Sequence, residues 1–290
     1  MNYETRFRWI SFQFRASPVR NSASNGARRN KNYETYTAYL LNNFCKDVAE
    51  IEKKDADLEF RNSKYNETNN PLIMIITYHG IQCFKIQFGS IVLAFDPISR
   101  ASSFKTPPRF GADLALISTN HPDMNGTDQV SNAGKEPFVI QGPGEYEIKD
   151  VFIKGLSSRG RYGLDKKNPD YAKSGRLNTI YSVLLENMNI VFLGALGESD
   201  LSEKTGEAIG ETDILFLPIG GDGVLNASEA AKIAVKLEPK IIIPMNYGEK
   251  DSLKAFLKEM GEEGVKPTDK LTVKKKDVEG REGSVVLLAT

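Results

Sequence analysis

Short apolar runs broken by glycine and proline dominate the chain from Leu72 onward, and they constrain its fold more than any other feature. Runs rich in Val, Ile and aromatic residues, bounded by turn-forming residues, are typical of β-strands. A tight hairpin around Gly89-Ser90 is predicted to join two of them. The predicted strands of the first part are LIMIITYH, CFKIQF, SIVLAFDP, ADLALIS, PFVI, EYEI, VFIKGL, NTIYSVLL and NIVFLG.

Segments of helical period alternate with strands in the second part of the chain. SEKTGEAIG precedes DILFLPI, NASEAAKIAVKLEP precedes KIIIPM, and DSLKAFLKEMG precedes SVVLLA. Asn226 and Glu229 form a capping-box pattern at the start of the second helix, and Gly261 ends the third. The two parts together predict a layered α/β protein whose chemistry lies in loops at strand ends.

The residues before the β-rich region differ in character, so we predict three segments. Residues 1–35 are a basic, polar stretch expected to be a disordered extension. An upstream segment read from a misplaced start, a transit peptide and an arm that contacts an anionic surface remain open for it. Residues 36–71 are predicted to form an amphipathic helix and a polar linker, and residues 72–290 the main domain.

Composition excludes several classes of protein. Thirty-eight basic residues balance 38 acidic ones, so the whole molecule gives no indication of nucleic-acid binding, and only the basic N-terminal arm leaves it open as a weaker hypothesis. No apolar run approaches the roughly 20 residues of a membrane helix, so no membrane partner is expected. Cys45 and Cys83 form no CxxC motif, which favours a reducing compartment. We therefore expect a cytoplasmic protein, whose oligomeric state the sequence leaves open.

Six segments in a fixed order carry a resemblance to a known family. They are ITYHGIQCFKIQFGSIVLAFDP, ADLALISTNHPDMNG, GPGEYEI, NTIYSVLLENMNIVFLGALGE, DILFLPIGGDG and IIIPMNYG. Together they resemble metallo-β-lactamase-fold proteins of the subgroup that contains ascorbate-6-phosphate-lactonase-like zinc hydrolases. The resemblance runs from about Met74 to the end of the chain. It implies an αββα sandwich with a metal site along one sheet edge.

The resemblance also implies metal-ligand positions, and most of them carry other residues here. Zinc chemistry needs three or more His and carboxylate ligands to hold the ion and leave one position open. The loop STNHPDMNG keeps His121 and Asp123. A further expected histidine falls near Arg159, where none occurs. The other implied ligand positions are occupied by Ile81, Thr119, Met124, Ala195 and Asn246.

We therefore expect no metal cofactor, and zinc or manganese only at a residual site. Such a site would combine His79 with His121 and Asp123. However, His79 lies one residue from the expected position. A shift of one residue along a strand turns the side chain to the opposite face, so we predict His79 to be a core imidazole.

Two functions follow as hypotheses. The first is a metallo-β-lactamase-fold homologue with a degenerate metal site, catalytically weak or inactive, that binds a small anionic ligand or a protein partner. The alternative is an active hydrolase of small anionic esters or lactones that uses a residual metal or a His121/Asp123 dyad. A dyad would lack an evident nucleophile, and a hydrogen-bonded loop pair explains both residues as well.

An anion site is the remaining hypothesis from the sequence. Arg159 and Arg161 stand where a ligand histidine would be expected, and arginine binds phosphate or carboxylate groups. The glycines Gly220 and Gly221 would let the backbone approach an anion. Solvated loop charges are the alternative interpretation of the two arginines.

Overall fold

The computed structural model describes residues 73–290 apart from 105, 132–133, 172 and 248–249. The predicted extension (1–35) and the predicted helix and linker (36–71) lie outside the described residues, so both stay predictions. No helix among the residues described is long and apolar enough to cross a membrane.

The first sheet has six strands in the order β12-β1-β2-β3-β4-β5. β1, β2 and β3 are antiparallel neighbours, whereas β3, β4 and β5 run parallel. β4 is buried along its whole length, as expected of a central parallel strand. The strands are β1 (Met74–Tyr78), β2 (Phe84–Phe88), β3 (Ile91–Phe95), β4 (Leu114–Ile117), β5 (Phe138–Gln141) and β12 (Leu271–Val273).

The second sheet has seven strands in the order β13-β11-β10-β9-β8-β7-β6. β9, β10, β11 and β13 are parallel, and β6 to β9 are antiparallel neighbours. The strands are β6 (Gly144–Ile148), β7 (Val151–Gly160), β8 (Arg176–Leu185), β9 (Met188–Phe192), β10 (Ile214–Pro218), β11 (Ile241–Met245) and β13 (Ser284–Val285).

Helices connect the parallel strands of the second sheet. The helices are α1 (Glu203–Ile209), α2 (Ala227–Leu237), α3 (Lys250–Met260) and α4 (Lys275–Val278), with a 3-10 turn at Thr127–Gln129. The predicted capping box is present: Asn226 accepts from the Glu229 backbone, and Glu229 accepts from the Asn226 backbone. Gly261 follows α3 at a positive φ of 70°.

The apolar core has two layers. One cluster lies between the two sheets and joins residues such as Phe84, Phe95, Phe192 and Phe216. The second cluster lies between the other face of strands β9, β10 and β11 and the helices α1, α2 and α3. Alternate residues of the strands therefore face opposite layers, which confirms the predicted α/β sandwich. The loops after β4, β9, β10 and β11 gather at one edge, where the site lies.

Candidate functional site

The loop after β4 carries His121 and Asp123, and it is tightly wound. The backbone N–H groups of Met124 and Asn125 donate to the His121 carbonyl at 2.8 and 3.0 Å. Gly126 donates to Pro97 at 2.7 Å. A Cβ at Gly126 would lie 2.4 Å from the backbone of Ile98, so only glycine fits there. The loop is thus a fixed turn pressed against the β3–β4 connection.

Asp96 anchors the base of this loop. Its buried carboxylate accepts the Ser118 N–H at 2.6 Å and the Ser118 hydroxyl at 2.5 Å. Burial raises the pKa of Asp96 to about 8, although the two Ser118 hydrogen bonds oppose that rise. Both contacts of Asp96 are with Ser118, so the residue has a structural role at the base of the loop.

Asp123 is held by two hydroxyl groups. Ser102 Oγ donates to its Oδ1 at 2.5 Å and Tyr162 Oη to its Oδ2 at 2.7 Å. The pKa of Tyr162 is raised by burial and by its hydrogen bond to Asp123, so the phenol keeps its proton and donates. The carboxylate is largely buried and already carries a donor on each oxygen.

His121 is held by its backbone neighbour rather than by the Asp123 side chain. Its Nδ1 accepts the Asp123 N–H at 3.2 Å, and the Asp123 Oδ2 is 3.5 Å away. Burial lowers the pKa of His121; Asp123 opposes this and Arg176 adds to it. The neutral ring that accepts at Nδ1 carries its proton on Nε2. A Cβ at Gly163 would lie 2.6 Å from that Nε2, so the backbone closes this side.

Three of the implied ligand positions meet in one apolar cluster. Met124, Ala195 and Val224 are buried together, and Ile81 and Tyr162 pack against them. Met124 and Ala195 are 0% and 1% exposed. The Ala195 backbone N–H donates to Asn178 Oδ1 at 2.7 Å, so this loop is also fixed. The side chains of Met124, Ala195 and Val224 contain no oxygen or imidazole nitrogen that could bind a metal ion.

Thr119 and Asn246 have structural contacts. Thr119 Oγ1 donates to the Leu177 carbonyl at 2.5 Å and is 3% exposed. Asn246 adopts a positive φ of 52°, and its N–H donates to the Ile81 carbonyl at 2.7 Å. Its Nδ2 is buried and has no hydrogen-bond partner among the described residues. Asn246 and Ile81 are therefore joined through their backbones at the mouth of the site.

His79 lies in a different environment from His121. Its ring stacks on Phe110 with centroids 5.1 Å apart, and its backbone N–H donates to the Cys83 carbonyl at 2.8 Å. Burial and then the nearby Lys85 lower its pKa. Within the described part of the chain, no group of three His, Cys, Asp or Glu side chains could hold a metal ion. The residual three-ligand site is therefore without support.

Two clefts open at this edge. The first, about 530 Å³, is lined by Ile81, Ser103, Phe104, Thr106, Asp123 and Tyr162. The second, about 310 Å³, contains Arg159 and Arg161 in its wall. Gly220 and Gly221 do not line the second cleft; a Cβ at Gly220 would lie 2.0 Å from the Asn246 carbonyl oxygen. Of the four residues in the anion hypothesis, Arg159 and Arg161 therefore line the second cleft, whereas Gly220 and Gly221 do not.

Sequence reasoning missed Ser102, Tyr162 and Asn178. Tyr162 follows Arg161 in the SSRGRYG segment, and a single tyrosine beside two arginines gives no pattern that marks a role. Asn178 begins a predicted strand, and a polar residue entering a buried strand is a signal of a hydrogen-bonding role. Ser102 gives no signal, because its contact with Asp123 joins two loops 21 residues apart.

Comparison with known proteins identifies the family. The model of the "Beta-lactamase superfamily domain" matches residues 75–246, more than half of the chain. The chain belongs to the beta-lactamase superfamily. This member is 26% identical over 197 residues to a metal-dependent hydrolase of Listeria welshimeri. The alignment covers 60% of this chain and 85% of the relative. A metal-dependent hydrolase of Methanopyrus kandleri is 24% identical over 196 residues, 60% of this chain and 84% of the relative.

A solved structure agrees with this assignment. A Thermotoga maritima protein, assigned to the zinc-dependent hydrolases of the metallo-β-lactamase superfamily, aligns with a TM-score of 0.58 and 26% identity. The alignment covers 75% of this chain and all of that one. The relatives of this beta-lactamase superfamily member are thus metal-dependent hydrolases by name, and a metal centre is the expectation to test against its residues.

The residues of this superfamily member do not fit a zinc pair. Methionine, alanine and isoleucine supply no hard ligand, and Thr119 already donates to a carbonyl. The Asp123 carboxylate already accepts hydrogen bonds from the Ser102 and Tyr162 hydroxyls, and the backbone at Gly163 lies against Nε2 of His121. The site thus has a polar rim around an apolar floor.

Proposed function

We propose that this beta-lactamase superfamily member has a degenerate metal centre and works by binding a ligand, in a regulatory or carrier role, rather than by zinc-dependent hydrolysis. The observation that carries the proposal is the apolar cluster of Met124, Ala195 and Val224, on which Ile81 and Tyr162 pack. Met124, Ala195 and Ile81 occupy positions where the family resemblance implies metal ligands.

The physical reason is the cost of placing a divalent cation on an apolar surface. A cation that leaves water must regain oxygen, nitrogen or thiolate ligands, because an uncompensated buried charge is strongly unfavourable. The thioether of Met124 suits soft Cu(I) better than zinc, and Ala195 offers none. The cluster instead gains the ordinary stabilisation of buried apolar surface.

The polar residues beside the cluster support the same conclusion. A His–Asp general base needs the imidazole Nδ1 to donate a proton to the carboxylate. Here Nδ1 accepts the Asp123 N–H, while Ser102 and Tyr162 satisfy the carboxylate. Ser102 also bonds to Asp123 and not to His121, so the three residues lack the order of a catalytic triad. These contacts favour a stable hydrogen-bonded loop.

The cleft of about 530 Å³ is the proposed ligand site. Phe104 and Ile81 provide apolar walls, and Ser103, Thr106 and Tyr162 provide polar groups. Such a lining suits a small organic molecule with an apolar part and groups that form hydrogen bonds. It has the size of small-molecule sites, which measure about 300–1,000 Å³.

The names of the relatives favour the competing function, a metal-dependent hydrolase, so the two are tested together. The protein is assayed for hydrolysis of a p-nitrophenyl ester and of bis-p-nitrophenyl phosphate, with zinc, with manganese and with chelator. We expect no activity that added metal raises and chelator removes. Metal-dependent turnover that is lost in His121→Ala and retained in a surface control, Lys270→Gln, would refute the degenerate centre. Lys270 is an exposed residue of the segment before β12.

A further inference from the structure

The second cleft is a basic pocket between the end of β7 and the start of β8. It measures about 310 Å³ and is lined by Arg159, Gly160, Arg161, Lys173, Ser174, Gly175 and Glu198. We propose that this pocket binds the phosphate group of a small phosphorylated ligand, or free phosphate. The pocket contains none of Ile81, Thr119, Met124, Ala195 and Asn246, and Arg159 stands near the position of a further implied histidine. Phosphate binding by these side chains is measured without metal, so its result is separate from that of the degenerate centre.

The charge of the lining favours a dianion. Three basic residues, Arg159, Arg161 and Lys173, line the pocket beside one acidic residue, Glu198. Guanidinium groups bind phosphate with two parallel hydrogen bonds, and the lysine adds a point charge. Within the described part of the chain, neither Arg159 nor Lys173 forms an ion pair. A bound phosphate would therefore compensate the charges of Arg159 and Lys173, which no ion pair among the described residues compensates.

The backbone that carries the two arginines is fixed on both sides. The Gly197 N–H donates to the Arg159 carbonyl at 2.9 Å, and the Arg161 N–H donates to the Gly223 carbonyl at 2.7 Å. A Cβ at Gly160 would lie 1.9 Å from the Ala195 carbonyl oxygen, so glycine alone permits this close approach. A fixed backbone lowers the entropy cost of binding, because the loop is already ordered.

The opposite wall leaves room for the Arg159 side chain. A Cβ at Gly175 would lie 3.4 Å from Arg159 Cδ and 3.5 Å from Nη1, so the arm of Arg159 runs along Gly175. This contact holds the guanidinium near Lys173 and Ser174, which precede β8. Arg159 is an exposed residue, so a soluble anion can reach it.

Neighbouring cations are engaged elsewhere, which distinguishes the pocket from a general basic surface. Arg176 Nη1 donates to the Asn120 carbonyl at 2.8 Å. Lys166 pairs with Asp222 at 2.7 Å. Neither Arg176 nor Lys166 lines the pocket. The predicted contribution of Gly220 and Gly221 to anion binding has no place in this pocket, because neither glycine lines it.

The test is a calorimetric titration of the full chain with inorganic phosphate and with glucose 6-phosphate, in a buffer that contains neither. We expect saturable binding, weakened at least about fivefold in Arg159→Gln and in Lys173→Gln, because each removes one attractive charge. Glu198→Gln should strengthen binding about twofold or more, since it removes a repulsive charge. Lys270→Gln, an exposed lysine outside the pocket, should leave the affinity unchanged.

Each outcome decides the proposal. Tighter binding of glucose 6-phosphate identifies a phosphate ester as the ligand class, and equal or weaker binding identifies free phosphate. Absence of saturable binding, equal losses in the Lys270→Gln control, or acetate binding as strong as phosphate would overturn the phosphate site. Glu198→Gln guards against a folding artefact, because structural damage would not raise the affinity.

Discussion

Substitution of Ala195 by aspartate restores the implied metal ligand and tests whether the site is apolar. Ala195 is 1% exposed and packs with Met124 and Val224. The apolar members of the cluster offer a carboxylate neither a cation nor a hydrogen-bond donor. The carboxylate must therefore take up a proton or open the loop to water. Protonation at pH 7 of a group with an ordinary pKa of about 3.9 costs about 4 kcal/mol, since each pKa unit corresponds to about 1.4 kcal/mol.

The sign of the pH dependence follows from the raised pKa. The folded variant holds its proton above the pH at which the unfolded chain releases it, so the loss of stability grows as pH rises above about 4. At pH 5 the protonation cost falls to about 1.5 kcal/mol, so the variant should regain about 2.5 kcal/mol relative to pH 7. Asparagine has nearly the same volume as aspartate but no charge. The loss in free energy of unfolding caused by Ala195→Asn should therefore not change with pH.

Urea unfolding of the wild type, Ala195→Asp and Ala195→Asn at the two pH values measures these differences. The reasoning is refuted if Ala195→Asp costs less than about 1 kcal/mol at pH 7, or if its cost equals that of Ala195→Asn at both pH values. Either result would mean that the position is hydrated or already accommodates a charged ligand.

Two further predictions concern the buried polar contacts. Tyr162→Phe removes a hydroxyl donor from the Asp123 carboxylate and should lower the free energy of unfolding by about 1–3 kcal/mol, measured by urea unfolding against the exposed control Lys270→Gln. The pKa of Asp96 is raised to about 8, so its contribution to stability should be present below about pH 4 and fall as pH rises toward 8. Asp96→Asn should flatten that part of the stability profile, and an unchanged slope would contradict the raised pKa.

The strands were predictable because their residues alternate or run continuously apolar. Each of the named runs from LIMIITYH to SVVLLA overlaps a strand, and the three helical segments overlap α1, α2 and α3 to within one residue. β12 (Leu271–Val273) was not predicted. It is three residues long and lies among lysines, so local pattern carries almost no signal, and only its pairing with β1 defines it.

The site was harder to predict because its contacts join distant loops. The motif positions Met124 and Ala195 could be located from ordered segments, but their packing with Val224 depends on tertiary structure. The hydroxyls that hold Asp123 lie 21 and 39 residues away, and isolated Ser and Tyr residues carry no periodic signal. The basic pocket likewise requires the ends of β7 and β8 to meet before Lys173 joins the two arginines.

The metal content of the purified full chain shows whether this superfamily member holds a metal ion. The protein is prepared without chelator, with zinc and manganese supplied, and measured by plasma mass spectrometry beside a restored variant. That variant carries Thr119→His, Met124→His, Ala195→Asp and Asn246→His. We expect far less than one equivalent of metal in the wild type and a clear gain of zinc in the restored variant. About one equivalent of zinc or manganese in the wild type, lost in His121→Ala, would contradict it.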